Sequence, residues 1–438
     1  MNDDRPSAQV WPQIREAAGS ARFAQAITLI AIGLAFSTHT IRALVGWPGL
    51  LAALGALIVL AAISLVARWR AVEWYGILPL TILVFVGWCA ASVIWSDTTW
   101  LSFARVLYLI AFGFLGVYVA LMRDTIQVVR AFGDVLRLLL GLSLALEVLS
   151  GILLDLPIAF LGIRGDLATL GPVQGIFGTR NMLGFVALVG LLTFVVEWRT
   201  KIARGPKAWA SVALALILIA LSGSPTTWIA LGVTVVAMAA LYFLRKAPAA
   251  TRWWWQIGLL AALLTSLVVG WLLRIRIIEL LDARAEFDVR LELWREISRY
   301  LALNPLQGWG WIGTWPRLTP YTWIERMTGR ESGSALSAYL DAYFQVGVIG
   351  MLLFVALIGV ALVRAWLLAS DRRSVVYVWP ALVLVAIAVT SFAESFALVE
   401  GGWMLLVLCA VKTAREMSWR DALARARSAG ALPPSAGA

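Results

Sequence analysis

Histidine, cysteine, lysine and charge in general are scarce in this chain. There is one histidine, His39, and there are two cysteines, Cys89 and Cys409, in 438 residues. A lone imidazole excludes metal catalysis built on histidine clusters. Each thiol lies inside an apolar run, where it acts as a small hydrophobe, so neither a disulfide nor a zinc site is expected. Charged residues make up only 14% of the chain against 61% hydrophobic, with a mean hydropathy of +0.86, whereas a soluble domain is about a quarter charged. Such a chain needs lipid as its solvent. The alternating ten-residue pattern of a closed β-barrel is missing too, and the apolar runs instead reach the roughly 17–25 residues that a bilayer asks of a helix.

The expected fold is therefore all-α, a polytopic membrane bundle of about twelve transmembrane helices with one large helical extracytoplasmic loop. Candidate spans are 22–38, 48–66, 76–95, 101–121, 132–153, 181–197, 208–222, 226–243, 255–273, 337–364, 375–391 and 401–413. This divides the chain into an N-terminal segment 1–21, helices over 22–273, the loop 274–336, helices over 337–413 and a tail 414–438. Twelve spans put both termini on one side. Arg68, Arg70, Arg199, Lys201, Lys207, Arg245, Lys246, Arg372, Arg373 and the basic tail from Lys412 all fall on that side, and the excess of positive charge makes it cytoplasmic. The protein is thus placed in the inner or plasma membrane. A net charge of +11 suits anionic membrane lipid and is no argument for nucleic acid.

The four lysines all lie on the cytoplasmic side, while the basic residues predicted outside are all arginine. Either the chain uses arginine for most of its positive charge, or something outside requires guanidinium, whose planar fork holds phosphate oxygens bidentately and keeps its proton. The loop 274–336 holds nine arginines. Within it Phe287, Leu291, Trp294, Ile297 and Leu301 recur at helical spacing, which predicts an amphipathic helix over 285–301 lying across the mouth of the bundle. Asn304-Pro305-Leu306-Gln307-Gly308-Trp309-Gly310-Trp311 then ends the helix and turns tightly. Trp309 and Trp311 are either interfacial anchors or flat faces for sugar rings, and composition does not separate the two.

These motifs, Asp288-Val-Arg290-Leu-Glu-Leu-Trp294, Asn304 to Gly310, Ala338-Tyr-Leu-Asp341 and Gln345-Val-Gly347-Val-Ile-Gly350, resemble the C-terminal signature of the O-antigen ligase and polysaccharide polymerase superfamily. Trp95-Ser96-Asp97 and Gly175 to Gly184 agree with it, so the likeness runs over about residues 90–400. The resemblance implies a metal-independent, inverting-type glycosyltransferase of ligase or polymerase type. It would move a glycan from undecaprenyl pyrophosphate to a glycan or lipid-glycan acceptor on the outer face of the membrane, in cell-surface polysaccharide biosynthesis.

By the same resemblance Arg290 is the first expected pyrophosphate contact and Arg180 the second. The sequence departs from the family twice. Pro225 stands where a further outer arginine is expected, and Leu336 stands where the ligase branch carries its base histidine. Leucine cannot take a proton, so either another residue is the base, the reaction proceeds by positioning and charge stabilisation alone, or activity is lost; the candidate catalytic groups are the outer carboxylates Asp341, Glu331 and Glu394, with Glu325 a further member of the set. A flippase or transporter for lipid-linked glycans, or a non-catalytic binding relative, would use the same arginines. The transporter would place charges along the spans, where the predicted segments carry little beyond Glu147.

Overall fold

The computed structural model describes residues 16–71, 79–169, 171–248, 250–273, 275–276, 279, 284–329 and 333–417. Among the described residues the regular structure is helical, with one isolated bridge between Ile158 and Ile163. The helices are α1 Ala21–Phe36, α2 Thr38–Ala67, α3 Leu80–Ala91, α4 Thr99–Met122, α5 Thr125–Val148, α6 Arg180–Arg199, α7 Pro206–Ser222, α8 Pro225–Lys246, α9 Arg252–Leu272, α10 Arg284–Leu301, α11 Tyr321–Thr328, α12 Ala338–Asp371, α13 Val378–Thr390 and α14 Glu400–Glu416. Each apolar segment read from the sequence carries one of them. Six, namely α2, α4, α5 with its continuation to Leu154, α6, α8 and α12, are long and apolar enough to cross a membrane. Four more, α1, α3, α7 and α13, are shorter apolar helices.

Helices α6, α13 and α14 are the innermost, sealed over nearly their whole lengths. Small residues let them approach their neighbours: a Cβ at Gly116 of α4 would lie 2.6 Å from the Met404 carbonyl of α14, the close backbone contact that association in lipid favours. Buried indoles find acceptors, Trp403 donating to Leu109 O at 2.9 Å and Trp379 to Thr193 Oγ1 at 2.9 Å. On the rim the pattern reverses. Val59, Val236 and Leu260 are each more than half exposed, an apolar exterior that water would not tolerate over so many helices and that hydrocarbon does.

The stretch between the first two candidate spans, 39–47, is helical rather than a connection. Gly46 (φ +68°) breaks α2 there, and Pro48 opens its second part, where a missing N–H costs nothing.

Helix α12 is broken at Val346 and Gly347 (φ +70°, ψ −176°). The turn after α10 docks into this break: Trp309 N donates to Phe344 O at 3.2 Å, Gly310 N to Gln345 O at 2.7 Å, and Val348 N to Pro305 O at 3.0 Å. The backbone groups freed by the break are thereby satisfied. A side chain at Gly347 would collide with the Leu306 carbonyl.

Above the break, α10, α11 and the first turns of α12 share a second apolar core made of Leu293, Ile297, Leu301, Trp315, Tyr321, Ile324 and Phe344. Each of its large aliphatic members contributes roughly 1.5–3 kcal/mol by leaving water. The amphipathic helix thus forms where the sequence places it, but its buried stripe runs through Arg290, Leu293, Ile297 and Leu301, displaced from the Phe287 and Leu291 line. This second core caps one end of the bundle, the cap end.

Candidate functional site

Three separate stretches of chain meet beneath α10. The first is the start of α6, where Thr179 caps the helix by accepting from Met182 N at 3.2 Å and so sets Arg180 and Asn181 in the first turn. The second is the connection between α13 and α14. Here Glu394 N donates to Thr390 O at 2.8 Å, while the carbonyls of Ser391 and Glu394 accept from Ala338 N at 2.8 and 3.1 Å, fastening the connection to the start of α12. The third is the buried stripe of α10, which carries Arg290.

Arg290 Nη2 donates to Glu394 Oε1 at 3.0 Å and to Ala393 O at 3.3 Å, and Asn181 Nδ2 donates to the same Glu394 oxygen at 2.5 Å. Arg290 and Glu394 are only 8% and 6% exposed. Arg180 adds its charge to both of them and donates to Gly223 O at 3.5 Å. Two guanidiniums therefore converge on one carboxylate, at the N-terminus of a helix whose dipole adds further positive potential. Burial pushes the Glu394 carboxyl above the usual glutamate range, and Arg290, Asn181 and Arg180 offset only part of that rise. Buried pairs of this kind recover their desolvation cost only when extra hydrogen bonds complete them, and Asn181 and Ala393 supply those. Asn181 Oδ1 is buried without a hydrogen-bond partner among the described residues.

Asp341 takes its side-chain hydrogen bonds from a different set of residues. It is completely buried, and its Oδ1 accepts from Trp315 Nε1 and Gln345 Nε2, each at 2.8 Å. Gln345 Oε1 in turn accepts from Ile312 N at 2.8 Å and Gly313 N at 2.6 Å. The carboxylate is the root of a network that shapes the 304–313 turn. Burial and the nearby Asp341 charge push the Tyr321 hydroxyl up. Trp311 is 1% exposed, packed edge-on against Phe85 with ring centres 5.9 Å apart, so in this conformation it presents no face to a sugar. Trp309 is half-buried against the second core.

Both departures from the family pattern fall at the site. Pro225 begins α8 one residue after Ser224, whose side chain accepts from Thr227 N at 3.3 Å, and this turn follows the Gly223 carbonyl that Arg180 contacts. Leu336 holds a left-handed backbone (φ +50°) two residues before Ala338, which is bonded to the Glu394 carbonyl. Glu331 lies outside the described residues, and Glu325 sits on α11.

Asn181 and Gln345 stand inside motifs read from the sequence, but sequence reasoning gave neither of them a role. It also missed a second cluster at the cap end, where Glu400 is engaged by Arg42, Thr38 and Tyr108, with Arg42 and Arg105 each 4.9 Å from the Trp47 ring centre.

Apolar helices around a sealed centre, with a buried arginine and carboxylate pair at one end under an amphipathic helix, define a polytopic membrane protein with a charged cluster beneath that helix. Residues 210–355 match the family model of the O-antigen ligases. The match takes in about a third of the chain, from α7 to the middle of α12. It is narrower than the 90–400 likeness read from the motifs, and it contains Arg290, Trp309, Trp311, Leu336 and Asp341. It supports an O-antigen ligase-like membrane glycosyltransferase role of ligase or polymerase kind. No curated protein matches the chain.

Proposed function

We propose that this protein transfers a glycan from undecaprenyl pyrophosphate to a hydroxyl of a glycan or lipid-glycan acceptor, on the extracytoplasmic side of a twelve-span bundle whose termini are cytoplasmic. The observation that carries the reading is the buried Arg290–Glu394 pair with the partly exposed Arg180 close enough to act on both by charge, the three coming from separate stretches of chain. A pyrophosphate leaving group develops charge as the glycosidic bond breaks, and fixed guanidiniums stabilise it without reorganising.

In this reading the pyrophosphate takes over Arg290 from Glu394 and is shared with Arg180. The carboxylate released from that pair then takes the proton of the acceptor hydroxyl, while Asn181 Nδ2, which donates to that carboxylate, holds it in place. The acceptor oxygen bonds to the anomeric carbon, the bond from that carbon to the pyrophosphate oxygen breaks, and the pyrophosphate leaves with the electron pair. A single displacement of this kind inverts the anomeric configuration. Glu394 supplies the basic group that Leu336 cannot, from a loop hydrogen-bonded to the same helix start. Burial favours it further, since a carboxyl held above its usual range is a better proton acceptor near neutral pH. Asp341 acts as a positioning residue.

The experiment is release of undecaprenyl pyrophosphate from a lipid-linked oligosaccharide by the purified protein in lipid, beside Arg290→Ala. Release that needs Arg290 supports the transferase. Binding of the lipid without release, in the presence of acceptor, refutes it.

A further inference from the structure

Behind Arg180, on the cap end, the structure holds a cavity of about 450 Å³, within the range of small-molecule sites. It lies between the end of α5, the 154–180 connection and the start of α6. Its lining includes Glu147, Arg164, Asp166, Gln174, Thr179 and Arg180. The mechanism proposed above uses only the last of these.

Two features identify what it takes. Glu147 is 2% exposed, yet it belongs to the wall. Its Oε1 is fixed by Gln174 N at 3.0 Å and Gly175 N at 2.8 Å, which leaves Oε2 for a ligand. A carboxylate is seldom kept at such depth in a membrane protein without a function. The second feature is charge balance: Glu147 and Asp166 cancel Arg164 and Arg180 in formal charge. A cavity with no net formal charge has no preference for a further phosphate, and a lining that mixes charged and amide side chains with Pro172 and Gly178 suits a neutral ligand with both hydroxyl and C–H surface. A guanidinium presents two adjacent donors, the spacing of two neighbouring hydroxyls on a sugar ring, and Glu147 Oε2 accepts from one hydroxyl beside them.

We infer that this cavity is a carbohydrate subsite that holds one pyranose ring by its vicinal hydroxyls, with Glu147 accepting and Arg164 donating, next to the pyrophosphate on Arg180. The inference rests on the reading of Arg180 and Arg290 given above. The ring belongs either to the donor, next to its pyrophosphate, or to the acceptor, and the chemistry of recognition is the same for both.

Saturation-transfer NMR on the protein in nanodiscs, with glucose, galactose, N-acetylglucosamine and rhamnose as probes, tests binding without requiring turnover. At least one sugar should receive saturation from the wild type and from Arg290→Ala, and lose it in Glu147→Gln combined with Arg164→Ala. Glutamine can still accept from Gln174 N and Gly175 N, and Arg164 is exposed, so this variant keeps its fold. A signal that survives in it, or none in the wild type, overturns the subsite. Because binding is scored in Arg290→Ala as well, the subsite stands or falls apart from transfer.

In the transfer assay Arg164→Ala should raise one KM about tenfold, the loss of one charge-assisted hydrogen bond. A rise for the lipid-linked donor assigns the ring to the donor, and a rise for the acceptor assigns it to the acceptor. Unchanged values for both overturn the proposal.

Discussion

Arg290 and Glu394 stand 104 positions apart in sequence and 3.0 Å apart in space, joined out of water where neither charge is stable alone. Arg290→Ala should lower undecaprenyl pyrophosphate release roughly 100- to 1,000-fold, the usual cost of removing a donor aimed at developing charge. Arg290→Lys should recover little of it, because a point charge does not replace the bidentate fork. Wild-type turnover in either variant would remove the site.

Glu394 gives a pH dependence whose sign is fixed by its environment. Its folded pKa is raised above the ordinary glutamate range, and a base must be unprotonated. Activity is therefore expected above that folded pKa, and it falls as pH drops through it, at a higher pH than an exposed glutamate would give. Glu394→Gln should lower kcat/KM roughly 10²- to 10⁴-fold and flatten this acid limb. A pH profile of the two proteins decides, and an unchanged limb in the variant means that another group titrates.

Chelation is the simplest control. If the guanidiniums of Arg290 and Arg180 stabilise the leaving group, then transfer in excess EDTA should equal transfer without it. Strong inhibition that added magnesium reverses would mean that a divalent ion shares the pyrophosphate.

Trp311→Ala tests whether that ring is core or glycan platform. Its burial against Phe85 predicts a loss of roughly 3–5 kcal/mol, seen as a lowered thermal midpoint in detergent, with KM unchanged in the folded fraction. Unchanged stability with a raised KM would restore the sugar-binding role.

Gly347→Ala addresses the docking of the turn on α12. The φ and ψ at that position belong almost only to glycine and cost other residues roughly 1–3 kcal/mol, before the collision with the Leu306 carbonyl is counted. Thermal unfolding and turnover should both fall. A variant as stable as the wild type would show that the turn docks elsewhere.

Much of the fold was legible because its signal is one-dimensional: apolar run length locates helices whatever they later pack against, and a helix lies on each segment so read. The break in α12 was not, since a glycine in an apolar run reads the same whether the helix continues or stops. The amphipathic helix was legible as an element but not in its rotation. Hydropathy counts Arg290 as polar and assigns it to the exposed side, whereas Glu394 and Asn181 draw it onto the buried stripe. Arg290, Arg180 and Glu394 were each visible through motif or charge, yet their meeting was not, because it depends on how α6, α10 and the α13–α14 connection cross. Glu147 stood out as a lone acid in an apolar span. What it faces was visible only once the 154–180 connection had folded back over it.

The order of Arg180, Arg290 and Glu394 along the chain bears on how the site is assembled. Synthesis proceeds from the N-terminus, so Arg180 and Asn181 are available, and then Arg290, well before the residue that unites them. The amphipathic helix cannot settle its arginine among apolar neighbours until the α13–α14 connection arrives to neutralise it. Completion of the site is thus tied to insertion of the final helices, and a nascent chain stalled before them has no assembled cluster with which to act on a lipid-linked substrate.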